Sequence, residues 1–288
     1  MSNSCLDILN RAVSKLRVEG IDRPRNNAEL LLGAILNTKK IELYLDRDRI
    51  LTRQQIDKFN EFIRERVSGK PLQYIIGSTE FFGLEFEVNE NVLIPRPETE
   101  TLVETVIELL KDCPRPKIVD LGTGSGAIAI SLAKNLAGSS VFATDISPGA
   151  LKVAEENARR NGVEDQIDFL CGDLFEPLKD RKLEGLVDCV ASNPPYVSQE
   201  EFDHLPKEVR DYEPILALKT DEEGMSFHSK IIDNSVDFLK TNGILILEVG
   251  LGQAGRVADL MRDRKEFKDA GIKKDLGGIE RVVLAHKA

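Results

Sequence analysis

From residue 117 to 286, short apolar runs of strand character alternate with longer runs of helical period. No other feature limits the possible folds as strongly. Strands are expected at 117–121, 140–145, 167–171, 186–192, 243–249, 267–275 and 280–286. Helices are expected near 125–136, 148–161, 226–240 and 253–264. A chain that leaves each strand through a helix before the next strand builds a mostly parallel sheet covered on both faces. Only Gly277-Gly278 separates the last two runs, too short for a crossover, so the final strand is expected to be antiparallel. The expected class is α/β with a seven-stranded, Rossmann-like sheet.

Upstream the period changes. Leu6, Leu9, Val13 and Leu16 recur at helical spacing and Gly20 closes the run. Ala28 to Leu36 is a nearly continuous apolar helix, and Thr52 is placed to cap a third, with Ile56, Phe59, Ile63 and Val67 on one face. Residues 79–88 alternate around a central glycine and read as a β-hairpin. Residues 89–100 form a proline-stiffened loop leading into a helix from about Glu98 to Lys111. The expected organisation is an N-terminal helical domain over 1–75, a hairpin and linker over 76–100, and a catalytic domain over 101–288.

The first strand of the sheet, Lys117-Ile118-Val119-Asp120-Leu121, runs into Gly122-Thr123-Gly124-Ser125-Gly126 and then an apolar helix. Glycines at such a turn let the backbone approach a ligand where a Cβ would clash. The next strand ends in Asp145, a carboxylate able to accept both hydroxyls of a ribose. A glycine loop with an acid about 20 residues on is a nucleoside-binding signature. Gly122, Gly124 and Ala127 also satisfy a relaxed dinucleotide fingerprint, so NAD is a rival ligand for this segment. Asp120, just before the loop, opposes that reading, because it would repel a pyrophosphate and attract a cation such as a sulfonium.

The fourth strand of the sheet ends at Asn193-Pro194-Pro195-Tyr196. Asn-Pro is also a common turn initiator. The two prolines fix the backbone and carry no N–H. The side-chain carbonyl of Asn193 and the carbonyl of Pro194 then form a pair of acceptors beside an aromatic wall, Tyr196. That corner suits a planar NH2 group, either an amide or the exocyclic amine of a base. It lies on the carboxyl edge of the sheet, where open α/β sheets bind ligands.

The formal net charge of −10 disfavours a polyanionic partner. Arg47, Arg49, Arg53, Arg64 and Arg66 cluster near the N-terminus and read as a solvated helix surface. Cys5, Cys113, Cys171 and Cys189 lack metal-like spacing, and the three histidines, His204, His228 and His286, lie far apart. No metal is expected. No apolar run approaches the roughly 20 residues of a membrane span, and the first residues lack the pattern of a signal peptide. A cytoplasmic monomer is expected.

Taken together, Asp120 to Gly126 and Asn193-Pro194-Pro195-Tyr196 resemble S-adenosylmethionine-dependent amino methyltransferases. Three further runs narrow the resemblance: Pro71-Leu72-Gln73-Tyr74-Ile75-Ile76-Gly77, Leu93-Ile94-Pro95-Arg96-Pro97-Glu98-Thr99-Glu100, and Leu247-Glu248-Val249-Gly250 followed by Gln253. In this order they resemble the HemK/PrmC family, the protein-(glutamine-N5) methyltransferases that act on peptide chain release factors. The resemblance covers about 70–288 by motif. It implies the seven-stranded methyltransferase fold, S-adenosylmethionine as donor, S-adenosylhomocysteine as product and a class 1 release factor as protein substrate.

It further implies roles for residues. Gly122, Thr123, Gly124, Ser125 and Gly126 would underlie the donor, Asp145 would hold its ribose, and Asp173 and Leu174 would flank its adenine. Asn193, which also borders the donor, and Pro194 would clamp the substrate amide, with Pro195, Tyr196 and Arg96 around it. Glu98, Gln73, Tyr74 and Glu248 stay open between a site role and packing, and Asp120 between holding the methionine end and bracing the loop. Gly224-Met225-Ser226-Phe227-His228 departs from the family's usual tyrosine after the aromatic. The same corner could instead serve a ribosomal-protein glutamine or an adenine N6 in nucleic acid. The last would require a flipped base and a basic groove. A non-catalytic nucleotide-binding protein would not need both the glycine loop and the corner.

Overall fold

The computed structural model describes residues 3–221 and 224–288. The chain forms two compact units, Met1–Gly77 with Lys207–Tyr212, and Ser78–Pro206 with Glu213–Ala288.

The first unit is helical. Helix α1 (Cys5–Val18) is capped by the Ser4 hydroxyl, and α2 (Pro24–Leu36) starts on a proline. After the short α3 (Lys40–Leu45), α4 (Arg53–Ser68) begins at Thr52, whose capping box with Gln55 satisfies two orphan N–H groups. Gly69, at φ +103°, ends it, and α5 (Leu72–Ile76) follows. Leu9, Val13, Leu16, Leu31, Leu32, Phe59 and Ile63 make one buried core. The two short helices are absent from the sequence expectation, because one or two turns carry too little period to detect; α3 buries only Leu43.

Arg66 departs from the expected solvated surface. It is only 9% exposed, donating from Nε to Asn27 Oδ1 at 2.8 Å and from Nη1 to the Lys70 carbonyl at 2.9 Å. Its Nη2 lies 2.7 Å from the Glu208 carboxylate. This guanidinium fixes the 207–212 segment within the unit rather than facing water.

The second unit opens with the expected hairpin, β1 (Ser78–Phe81) and β2 (Leu84–Glu87). Phe82 and Gly83 both take positive φ at its two-residue turn. A 3-10 turn at Pro97–Thr99 feeds α6 (Glu100–Leu110). Then β3 (Lys117–Leu121), α7 (Ala127–Asn135), β4 (Ser140–Asp145), α8 (Pro148–Asn161), β5 (Ile167–Cys171) and β6 (Val187–Ser192) follow in turn. Between β6 and α12 (Ser226–Phe238) the chain makes an excursion with three short helices, α9 (Gln199–Asp203), α10 (Lys207–Arg210) and α11 (Ile215–Leu218). Strand β7 (Leu239–Glu248), α13 (Ala254–Arg262), β8 (Phe267–Lys274) and β9 (Glu280–Lys287) complete it.

The seven-stranded sheet has the order β5-β4-β3-β6-β7-β9-β8. Strand β9 runs antiparallel to both neighbours, as the two-glycine connection requires. Strand β7 starts at Leu239 rather than 243 because Leu239 pairs with Val187 across an irregularity in the β6 ladder. Ile118 and Val119 are both fully buried, on opposite faces. Ile118 joins Leu102, Ile130 and Ile246, whereas Val119 joins Ile231, Leu247 and Met261. Strand order reverses direction at β3, between β4 and β6, so their carboxyl ends open a crevice at the switch point.

Candidate active site

A cavity of about 310 Å³ occupies that crevice, and every residue lining it belongs to the second unit. Its floor is the loop after β3. Gly122 and Gly124 take φ of +69° and +56°, and a Cβ on either would meet nothing within 4 Å. Their glycine identity therefore serves the backbone turn and keeps the cavity open. Gly126 differs: a Cβ there would lie 2.7 Å from Ile130 Cδ1 and 3.2 Å from Ala154 Cβ. It lets α7 and α8 approach and is not among the cavity-lining residues, whereas Thr123 and Ser125 are.

Two carboxylates hold this loop. Asp145 Oδ2 accepts from Gly124 N at 2.9 Å and its Oδ1 from Ser147 N at 2.8 Å. A carboxylate has about four acceptor positions, so these bonds leave capacity for a ligand hydroxyl. Burial raises the Asp145 pKa, opposed by hydrogen bonds from Ser147, Gly124 and Ile146. Asp120 is wholly buried, its Oδ2 accepting from Thr123 Oγ1 at 2.6 Å and Ala129 N at 3.2 Å. It braces the loop from beneath, and burial pushes its pKa up to about 7. Its Oδ1 has no hydrogen-bond partner among the described residues.

The wall after β5 carries Gly172, Asp173 and Leu174, all lining the cavity. Leu174 has φ +45°, a costly conformation for a branched side chain. The Asp173 carbonyl accepts from Glu176 N at 2.9 Å, so this aspartate both makes a turn and faces the cavity.

Opposite stand Asn193, Pro194 and Pro195. The Asn193 Nδ2 donates to Thr99 Oγ1 at 3.2 Å. Tyr196 is not among the lining residues. Its carbonyl accepts from Gln253 Nε2 at 3.0 Å, its ring edge lies beside Gly250, and burial pushes its phenol pKa up. Gln253 Oε1 accepts from Gly250 N at 2.9 Å, so one side chain ties the corner to the loop after β7. Gly224 is packed against the same bond: a Cβ there would lie 2.6 Å from Gln253 Nε2.

Glu248 ends β7 and is 1% exposed. Burial raises its pKa to about 7, opposed by hydrogen bonding to Thr99, the charge of Arg281 and hydrogen bonding to Tyr196. Behind it, His228 Nε2 bonds the Glu248 carbonyl at 2.9 Å, and burial lowers the imidazole pKa. His228 thus lies one layer behind the corner, outside the cavity lining.

Arg96 lines the cavity and pairs with Glu213 rather than Glu98: its Nη2 is 2.6 Å from Glu213 Oε1. Glu213, 4% exposed, also accepts from Ile94 N at 3.2 Å. The excursion after β6 thereby brings Pro214, Leu216 and Ala217 to the cavity, and α12 adds Phe227 and Lys230. Glu98, Gln73 and Tyr74 do not line it. Sequence reasoning passed over Thr99, Glu213 and Lys230. Thr99 lay inside a run already singled out; the other two carry no local pattern.

Residues 7–77 match the PrmC N-terminal domain family and residues 98–208 the methyltransferase small domain family. A release factor glutamine methyltransferase of Nitratidesulfovibrio vulgaris is 39% identical over 97% of this chain and 94% of its own. One of Moorella thermoacetica is 40% identical over 97% of each. Among solved structures, the hMettl16 catalytic domain in complex with the MAT2A 3'UTR hairpin 6 superposes with a TM-score of 0.58 at 17% identity, over 81% of this chain and 82% of that one. At that identity the likeness is one of fold alone.

Proposed function

The chain belongs to the release factor glutamine methyltransferase family, and we propose that it methylates the N5 amide of the glutamine in the Gly-Gly-Gln motif of class 1 peptide chain release factors. One observation carries the assignment of residues: a single cavity joins the glycine loop and Asp145 to the acceptor corner Asn193-Pro194. S-adenosylmethionine supplies an electrophilic methyl group on a sulfonium. The residues present fit it, with an open backbone cradle at Gly122 and Gly124 and a carboxylate, Asp145, with acceptor capacity to spare. Asp173 and Leu174 would border the adenine.

An amide nitrogen is a weak nucleophile because its lone pair is delocalised into the carbonyl. The enzyme's task is therefore placement. Asn193 Oδ1 and the Pro194 carbonyl each accept one N–H of the glutamine amide, which directs the remaining lone pair at the methyl carbon. Orientation of this kind can contribute several kcal/mol. The same carbonyls favour the positive charge that develops on nitrogen during transfer. As the N–C bond formed, the C–S bond would break and release S-adenosylhomocysteine, and the proton would pass from nitrogen to water afterwards, so no tuned base is needed. Pro195 and Arg96 bound the amide pocket, and Tyr196 supports the corner from behind. The helical first unit would grip the protein substrate, with the enzyme acting as a monomer in the cytoplasm. Among the described residues no helix is long and apolar enough to cross a membrane.

The rival chemistry is methylation of a nucleic-acid base at the same corner. A net charge of −10 weighs against it. Labelled methyl transfer tests the choice, with purified class 1 release factor and with RNA and DNA as acceptors. Label on the release factor, insensitive to moderate salt, supports the proposal. Label on nucleic acid alone contradicts it.

A further inference from the structure

The side-chain amide of asparagine has two nearly isosteric faces, one an acceptor and one a double donor. Only one of them can receive the NH2 group of a substrate amide. With the amide turned over, two NH2 groups would face each other and the clamp would fail. Something must therefore set the orientation of Asn193, and the surrounding residues show what does.

Asn193 follows directly on β6, and its Nδ2 donates to Thr99 Oγ1 at 3.2 Å. Its Oδ1 takes part in no hydrogen bond with another described residue. Thr99 ends the 3-10 turn at Pro97–Thr99, is 4% exposed, and is fixed by its own N–H donating to the Arg96 carbonyl at 3.1 Å. A hydroxyl that accepts from Asn193 must send its single proton elsewhere. The group at hand for it is the buried Glu248 carboxyl, whose Oε2 has no hydrogen-bond partner among the described residues. The β6–β7 ladder puts that carboxyl there, since Ser192 pairs with Leu247 and the next residues are Asn193 and Glu248. The Glu248 charge also acts on the Tyr196 phenol, so one buried side chain neighbours both Thr99 and Tyr196. With the Thr99 O–H turned to Glu248, donation runs from Asn193 N–H to the Thr99 oxygen and from Thr99 on to the carboxyl.

We propose that Thr99 and Glu248 are positioning residues for methyl transfer, holding the Asn193 amide with its oxygen toward the substrate and its NH2 away from it. This rests on the functional reading above, in which Asn193 is the clamp. Neither residue touches the reacting atoms. Their removal should appear in turnover rather than in donor affinity, because the glycine loop and Asp145 are left intact.

The test is steady-state methylation of a purified release factor by the full-length enzyme, with donor affinity measured by calorimetry. Thr99→Val keeps the shape and removes the hydroxyl, and with it the bond to Asn193. It is expected to lower kcat by about ten- to a hundred-fold, the scale on which misplacement of a reacting group acts. Its donor Kd should stay within about two-fold of wild type, a range that leaves the donor-binding contacts unchanged. Thr99→Ser, which restores the hydroxyl, should recover most of the loss. Glu248→Gln, which keeps an acceptor for Thr99, should retain more turnover than Glu248→Leu. Undiminished kcat in a folded Thr99→Val enzyme would overturn the proposal. So would a Thr99→Ser enzyme as slow as Thr99→Val at equal thermal stability, since a packing role alone would not distinguish the hydroxyl. Failure of the wild type to methylate the factor would remove the functional reading, and the positioning role with it.

Discussion

The Arg96 guanidinium is bonded to the Glu213 carboxylate across 117 residues of sequence, at the rim of the cavity. The pair is asymmetric: the Glu213 side chain is 1% exposed and that of Arg96 is 31% exposed. Removing the arginine takes its cation from a buried carboxylate, whereas removing the carboxylate leaves a cation that water can reach. Arg96→Ala should therefore destabilise by about 2–3 kcal/mol, somewhat below the range for a fully buried pair. Glu213→Gln, which keeps one acceptor and turns an NH2 group to the other donor, should cost about 1 kcal/mol. Urea unfolding of both variants measures the difference, and equal losses would mean the burial asymmetry has no energetic weight.

The three glycines of the loop should separate into two kinds. Gly124→Ala places a methyl group in the cavity at φ +56°. It should cost about 1–2 kcal/mol of stability from backbone strain and should weaken donor binding. Gly126→Ala drives a Cβ into Ile130 and Ala154. It should cost about 2–3 kcal/mol, as overpacking does, with donor affinity per folded molecule little changed. Thermal melts alongside calorimetric titration with S-adenosylmethionine would resolve the two behaviours.

Asp145 has a double duty that predicts its mutant. Its carboxylate accepts from Gly124 N and Ser147 N while offering its remaining acceptor positions to a ligand. Asp145→Ala should weaken S-adenosylmethionine binding by about ten-fold or more, since each 1.4 kcal/mol of lost interaction is ten-fold in Kd. Unchanged affinity by calorimetry would refute the ribose role.

Asp120 should leave a signature in the pH dependence of stability. Its pKa rises from 3.8 to about 7 on folding, through burial. Between those values the native state binds more protons than the unfolded state, so stability falls as pH rises. The contribution is complete below about pH 4 and is lost as pH passes through about 7. Asp120→Asn removes the titration, so its unfolding free energy should decline less than that of wild type between pH 4 and 7. Parallel urea titrations across that range make the comparison.

The sheet was legible because its central strands are largely apolar and most of their connections carry helical period. Even the antiparallel final strand followed from Gly277-Gly278 being too short to cross over. The donor side of the site was legible for a similar reason. Gly122, Gly124 and Asp145 are short-range features at a strand end, where topology leaves one place for a ligand. What stayed hidden was long-range. Glu213 reaches Arg96 from an excursion whose helices are four or five residues long, below the length at which period can be read. Arg66 looked like one of several surface arginines, and only its partners Asn27 and Glu208 explain its burial. Tyr196 sat in a motif read as a cavity wall, whereas the chain turns after Pro195 and the ring packs beside Gly250.

The central claim is that Asn193 clamps a release-factor glutamine for methyl transfer. The most direct measurement is tandem mass spectrometry of the Gly-Gly-Gln peptide from a class 1 release factor incubated with S-adenosylmethionine and the enzyme. One added methyl group on that glutamine with wild type, and none with an Asn193→Ala enzyme that still binds the donor, is the predicted result. Methylation elsewhere on the factor, or undiminished methylation by Asn193→Ala, would contradict it.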